Sequence, residues 1–115
     1  MKPVLGLAVL LLAACATPSD ITKLGMSRSF TTTMNVPNTV TCVKRVASDF
    51  RAKGPATERP SDKPGGVEIH LNGDMGTIMV AVVTPAPPGS NVTVFYESDR
   101  VRSLNGNDMV RGCSK

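Results

Sequence analysis

The 115-residue chain has no Trp, one Tyr and three Phe, so aromatic residues make up only 3% of it. Surfaces that stack nucleobases or sugar rings need aromatic faces, and this chain has few to offer. Nucleic acid is therefore not an expected partner. Histidine occurs once and cysteine three times. A zinc site needs about four nitrogen, sulfur or carboxylate ligands, so no metal and no cofactor is expected. No C-x-x-C pair is present, which removes the common redox motif. The glycines at 65, 66, 73 and 76 do not fit the spacing of a phosphate-binding loop, and Asp62, Asp74 and Asp108 are too scattered for a calcium loop. Charge is nearly balanced at a formal +4, too little to identify a partner. What remains is a chain with room for one core, built from Val, Leu, Ile, Met and Ala.

The amino terminus is the most informative segment. Lys2 supplies a positive charge, and Val4 to Ala14 is apolar or small throughout. That run is about half the ~20 residues a membrane-spanning helix needs, and its order of charge followed by apolar stretch is that of an export signal. It ends in Leu12-Ala13-Ala14-Cys15, a branched apolar residue and two small ones before a cysteine. A thiol is nucleophilic enough to take up a diacylglyceryl group as a thioether, and small residues before it admit a peptidase. This arrangement resembles the lipobox of bacterial lipoproteins.

The resemblance implies cleavage after Ala14 and lipidation of Cys15, followed by acylation of the freed amine, so that several acyl chains hold the protein on a bilayer. In that family an Asp directly after the cysteine favours retention in the inner membrane. Ala16 stands there, which implies the outer membrane, with the domain facing the periplasm. Ala14-Cys15-Ala16 also fits an ordinary A-x-A cleavage site, which would release a soluble periplasmic or secreted protein.

With Cys15 assigned to lipid, Cys42 and Cys113 remain in a compartment where disulfides persist, and they are expected to pair. A closed loop of about 70 residues is worth roughly 4 kcal/mol in the chain-entropy model.

Along the rest of the chain, residues 15–28 read as a lipidated N-terminus and tether, and 29–115 as a small disulfide-stapled domain. Phe30, Thr32, Met34 and Val36 alternate as a first strand, ended by Pro37. Asn38 or Thr39 is suited to cap a helix whose Val40, Val43, Ala47 and Phe50 follow helical steps, with Arg51 and Lys53 in its last turn and Gly54-Pro55 ending it. Residues 54–66 read as a loop. Val67 to Asn72 forms a second strand, and Asn72-Gly73 a hairpin turn. Thr77 to Thr84, apolar on both alternating sets, reads as the central strand. Residues 85–91, with three prolines, read as a stiff loop, and Val92 to Glu97 as a fourth strand. In the tail, residues 100–104 suggest an edge strand, Asn105-Gly106 a turn, and Asp108 to Arg111 a short helical turn that delivers Cys113 to the helix. The order β-α-β-β-β implies a two-layer α+β domain, an antiparallel sheet of about four strands with one helix on a face.

Three functional readings follow. The first is a non-catalytic structural or accessory subunit of an envelope assembly, anchored in the bilayer through Cys15 and docking to another protein through the helix, the 85–91 loop or a strand edge; it is not an enzyme. The second is a periplasmic ligand-binding or inhibitor domain that recognises an anionic envelope component through Lys44, Arg45, Arg51, Lys53, Arg100 and Arg102, with Arg111 nearby. The third is a small hydrolase using His70, oriented by Asp74 or Asp99. Against it, strand alternation places His70 with Glu68 and Asn72 on a solvent-facing side.

Overall fold

The computed structural model describes residues 18–23, 26–49, 55–74 and 76–114. The signal and lipobox, Cys15 included, lie outside these residues, as do Phe50, Arg51, Lys53 and Gly54 of the expected helix end. The elements are α1 (Pro18–Lys23), β1 (Ser27–Thr32), α2 (Val36–Asp49), β2 (Thr57–Pro60), β3 (Val67–Gly73), β4 (Gly76–Ala86), β5 (Gly89–Tyr96) and α3 (Asp99–Cys113). All five strands pair antiparallel in the order β1-β5-β4-β3-β2. The class is α+β with an antiparallel sheet, one strand and two described helices richer than the sequence suggested.

Alternation sorts the side chains of this sheet onto two faces. Ile69, Leu71, Met79, Ala81, Val83, Val92, Val94 and Tyr96 point to one side, where they join Val40, Val43 and Ala47 of α2 and Met109 and Cys113 of α3 in a single core. Each Val, Leu, Ile or Met among them, fully buried, contributes about 1.5–3 kcal/mol. An irregularity at Leu71/Asn72 shifts the register, so Ile78 also reaches this core. The central position belongs to β4, as its apolar residues on both sets require. On its other side Val80 is fully buried, and α1 lies against β4 and β5 with Ile21 at 0% exposure. Residues 18–23 are thus not free tether: an isoleucine with a turn of helix around it can bury itself on an apolar strip.

Several elements begin or end elsewhere than the sequence suggested, each for a local reason. The first strand stops at Thr32 because Thr32 Oγ1 accepts the Met34 N–H at 3.2 Å and bends the chain. Asn35, not Asn38 or Thr39, caps α2, its Oδ1 accepting the Asn38 N–H at 2.9 Å. Pro37 falls in the first turn, where a missing N–H costs nothing. The β3–β4 turn comes two residues later than expected, since Asn72 pairs with Thr77 and Gly73 with Gly76. Gly76, at φ 114°, holds a conformation other residues rarely adopt.

Residues 85–91 are not a stiff loop. β4 runs through Ala86 and β5 starts at Gly89, leaving Pro87-Pro88, joined by a cis bond, as the turn. Gly89 cannot carry a side chain, because a Cβ there would lie 1.8 Å from the Thr32 carbonyl oxygen. The 54–66 loop contains β2, whose four residues are all exposed and so leave no burial pattern to read.

The tail differs most. Residues 99–113 form one continuous helix, with Ser98 Oγ accepting the Val101 N–H as its N-cap. Asn105-Gly106, expected as a turn, is buried mid-helix: Asn105 Oδ1 accepts the Tyr96 hydroxyl proton at 2.9 Å, so the polar side chain is satisfied where it stands. Burial pushes the Tyr96 phenol pKa up, against the opposing pull of Arg28, so the hydroxyl stays protonated and remains a donor.

Candidate functional site

The disulfide is formed. Cys42 of α2 and Cys113 of α3 are joined with 5.9 Å between their Cα atoms, and both are buried. The bridge ties two helices that share one face of the sheet, with Val46 and Gly112 in contact range beside it.

Among the described residues, the basic side chains do not converge. Lys44 faces the β2 edge, where its Nζ lies 2.7 Å from Glu58 Oε2, and it lines a shallow groove with Val36, Val40 and Val67. Arg45 is exposed, with Nη2 3.7 Å from Cys42 Sγ. Arg102 pairs with Asp99 at 2.9 Å, and Arg111 lies 3.9 Å from Asp108. Arg100 belongs to a different cleft at the opposite end of the sheet. Arg51 and Lys53 lie outside the described residues.

His70 is not solvent-facing. It is 6% exposed, because Thr57 of β2 and Val80 of β4 stand in register on either side of it and shield the ring. Its Nε2 lies 2.9 Å from Glu68 Oε1, so the carboxylate at the ring is that of Glu68 and not of Asp74 or Asp99. Glu68 in turn lines a hollow of about 370 Å³ between α1, the 61–63 segment and the outer face of the sheet. Among the described residues, no three His, Cys, Asp or Glu side chains converge as metal ligands. No helix among them is long and apolar enough to cross a membrane.

A cleft of about 550 Å³ lies where the β3–β4 turn meets the start of α3. Ile78, Val101 and Leu104 supply its apolar surface, and Asp74, Glu97, Ser98 and Arg100 its polar rim. Leu104 is 53% exposed, the one large hydrophobic side chain so exposed among the described residues. It stands apart from the stripe of half-buried Val101 and buried Asn105, Met109 and Cys113, which follows steps of four along α3. Sequence reading missed it because Asn105-Gly106 hid the helix; once that stripe is seen, Leu104 is the apolar residue off the stripe.

No protein-family model matches this chain, and no curated protein matches it, so the fold and the clefts stand on their own geometry.

Proposed function

We propose that this protein is a lipid-anchored, non-catalytic accessory subunit of an envelope protein assembly, held on the outer membrane by acylated Cys15 and docking to its partner through the Leu104 cleft. Leu104 carries the reading. An exposed apolar side chain at a cleft whose rim carries charged groups is one form that a protein-docking site takes. Ile78 and Val101 extend that spot into the cleft, and Asp74, Glu97 and Arg100 give its rim both signs of charge.

The Cys42–Cys113 bridge supports the exported compartment, since disulfides persist outside the reducing cytosol. It also leaves Cys15 as the one cysteine of three for lipid. The reading in which the basic residues bind an anionic component is weaker, because Lys44 and Arg102 already hold carboxylates.

A photo-crosslinking residue placed at position 104 tests the docking in living cells. One reproducible adduct in the membrane fraction is expected, lost when Arg100 is replaced by Glu. An adduct-free chain at native expression would overturn the proposal.

A further inference from the structure

The sheet has two edges, and they are finished differently. β2 has four residues, carries Glu58 and Arg59 and ends in Pro60. Shortness, charge and proline each discourage a further strand. β1 has six residues, no proline and no glycine, and no described strand lies beyond it. Its one charge, Arg28, is turned to the helix side, where Nη1 donates to Asn107 Oδ1 at 3.0 Å.

Parity decides which backbone groups reach this open edge. The Tyr96 N–H donates to the Met26 carbonyl at 2.8 Å, and that pair continues the register in which Ser27 faces Phe95. Residues of an antiparallel strand alternate between bonding one neighbour and the other. Even-numbered residues of β1 therefore bond to β5, and the N–H and C=O groups of Ser27, Ser29 and Thr31 point away from the sheet. The side chains of those three fall on the outer face, as the 3.2 Å contact of Ser29 Oγ with Thr93 Oγ1 shows, and Ser29 and Thr31 are exposed.

We propose that β1 is a self-association edge, to which a second copy of this chain adds antiparallel about a twofold axis at Ser29, joining two sheets into one. The strand is complementary to itself in that register. Ser29 meets its own counterpart, and Ser27 meets Thr31 of the copy, so hydroxyl faces hydroxyl along the outer face. On the helix side Arg28 comes opposite Phe30 of the copy, and Arg28 never meets Arg28. That leaves no like charges in contact, and a guanidinium beside an aromatic ring is attractive. One six-residue strand buries less than the roughly 1,200 Å² of a stable complex, so the dimer is weak and shows at high protein concentration.

Sedimentation equilibrium of the full chain, in density-matched detergent where it carries lipid, measures this. Ser29→Pro and Thr31→Pro remove outward N–H groups that the fold does not use, and proline is tolerated at such edge positions. Wild type is expected to rise roughly twofold in weight-average mass with concentration, while whichever proline variants retain the wild-type circular dichroism stay at monomer mass. Leu104→Asp keeps the dimer, so this inference and the docking read above fail separately. A wild type that stays monomeric throughout, or a dimer that survives either folded proline variant, would overturn it.

Discussion

The two faces of this sheet are built to different standards. One is covered by α2 and α3, long helices bridged by Cys42–Cys113, over a continuous core from Ile69 to Met109. The other is covered, among the described residues, by the six residues of α1 and the 61–63 segment, and carries Glu68, His70, Thr84 and Thr93 among its apolar residues. A six-residue helix is far below the length that is stable alone, so α1 is held by where Ile21 lands rather than by its own hydrogen bonds. The first face fixes the fold, and the second is where the chain can open without unfolding.

Breaking the bridge gives the largest effect. Replacing both Cys42 and Cys113 by Ser is expected to lower unfolding free energy by about 4 kcal/mol in urea titration. A loss under about 1 kcal/mol would mean that helix packing alone holds this face. Tyr96→Phe comes next, at about 2 kcal/mol, because it leaves the buried Asn105 carbonyl oxygen without a donor. Thermal unfolding monitored by circular dichroism reads it, and no change would show that another group satisfies Asn105.

The outer face responds least. Ile21→Asp undocks α1, yet its cost in global stability cannot exceed the free energy of docking one short helix, about 1 kcal/mol. Its signature is local: tryptic cleavage after Lys23 speeds up while the urea midpoint hardly moves. A global loss as large as that of the disulfide variant would erase the contrast between the faces.

That contrast also explains what the sequence revealed. The core strands were legible because β-branched and aromatic residues run from Val92 to Tyr96, with Val92, Val94 and Tyr96 on one alternating set, and the central place of β4 because both of its residue sets are apolar. The bridge was legible from cysteine count and compartment. The long C-terminal helix was not, since Asn105-Gly106 is a strong turn signal until Tyr96, nine residues earlier, supplies the donor that keeps Asn105 inside. β2 had no burial to betray it. His70 followed strand alternation to the outer face as expected, but burial depends on neighbouring strands, and Thr57 comes from a strand that could not be read. Of the candidate site, Arg100 was named for its charge, while Leu104 and Ile78 needed the helix and the register shift to be seen together.

On the anchored reading the outer face lies nearest the lipid. Only Ala16 and Thr17 separate Cys15 from Pro18, three chain steps or at most about 10 Å of extended chain, so a docked α1 holds the sheet close to the bilayer and an undocked one lets it move away. The proposed lipid on Cys15 would set the outer face toward the bilayer, and intact mass spectrometry of the chain isolated from membranes tests it most directly. A mature polypeptide beginning at Cys15 and heavier by a diacylglyceryl group plus an acyl chain is the predicted result. A soluble chain with its first residues intact, or cut without lipid, would contradict it.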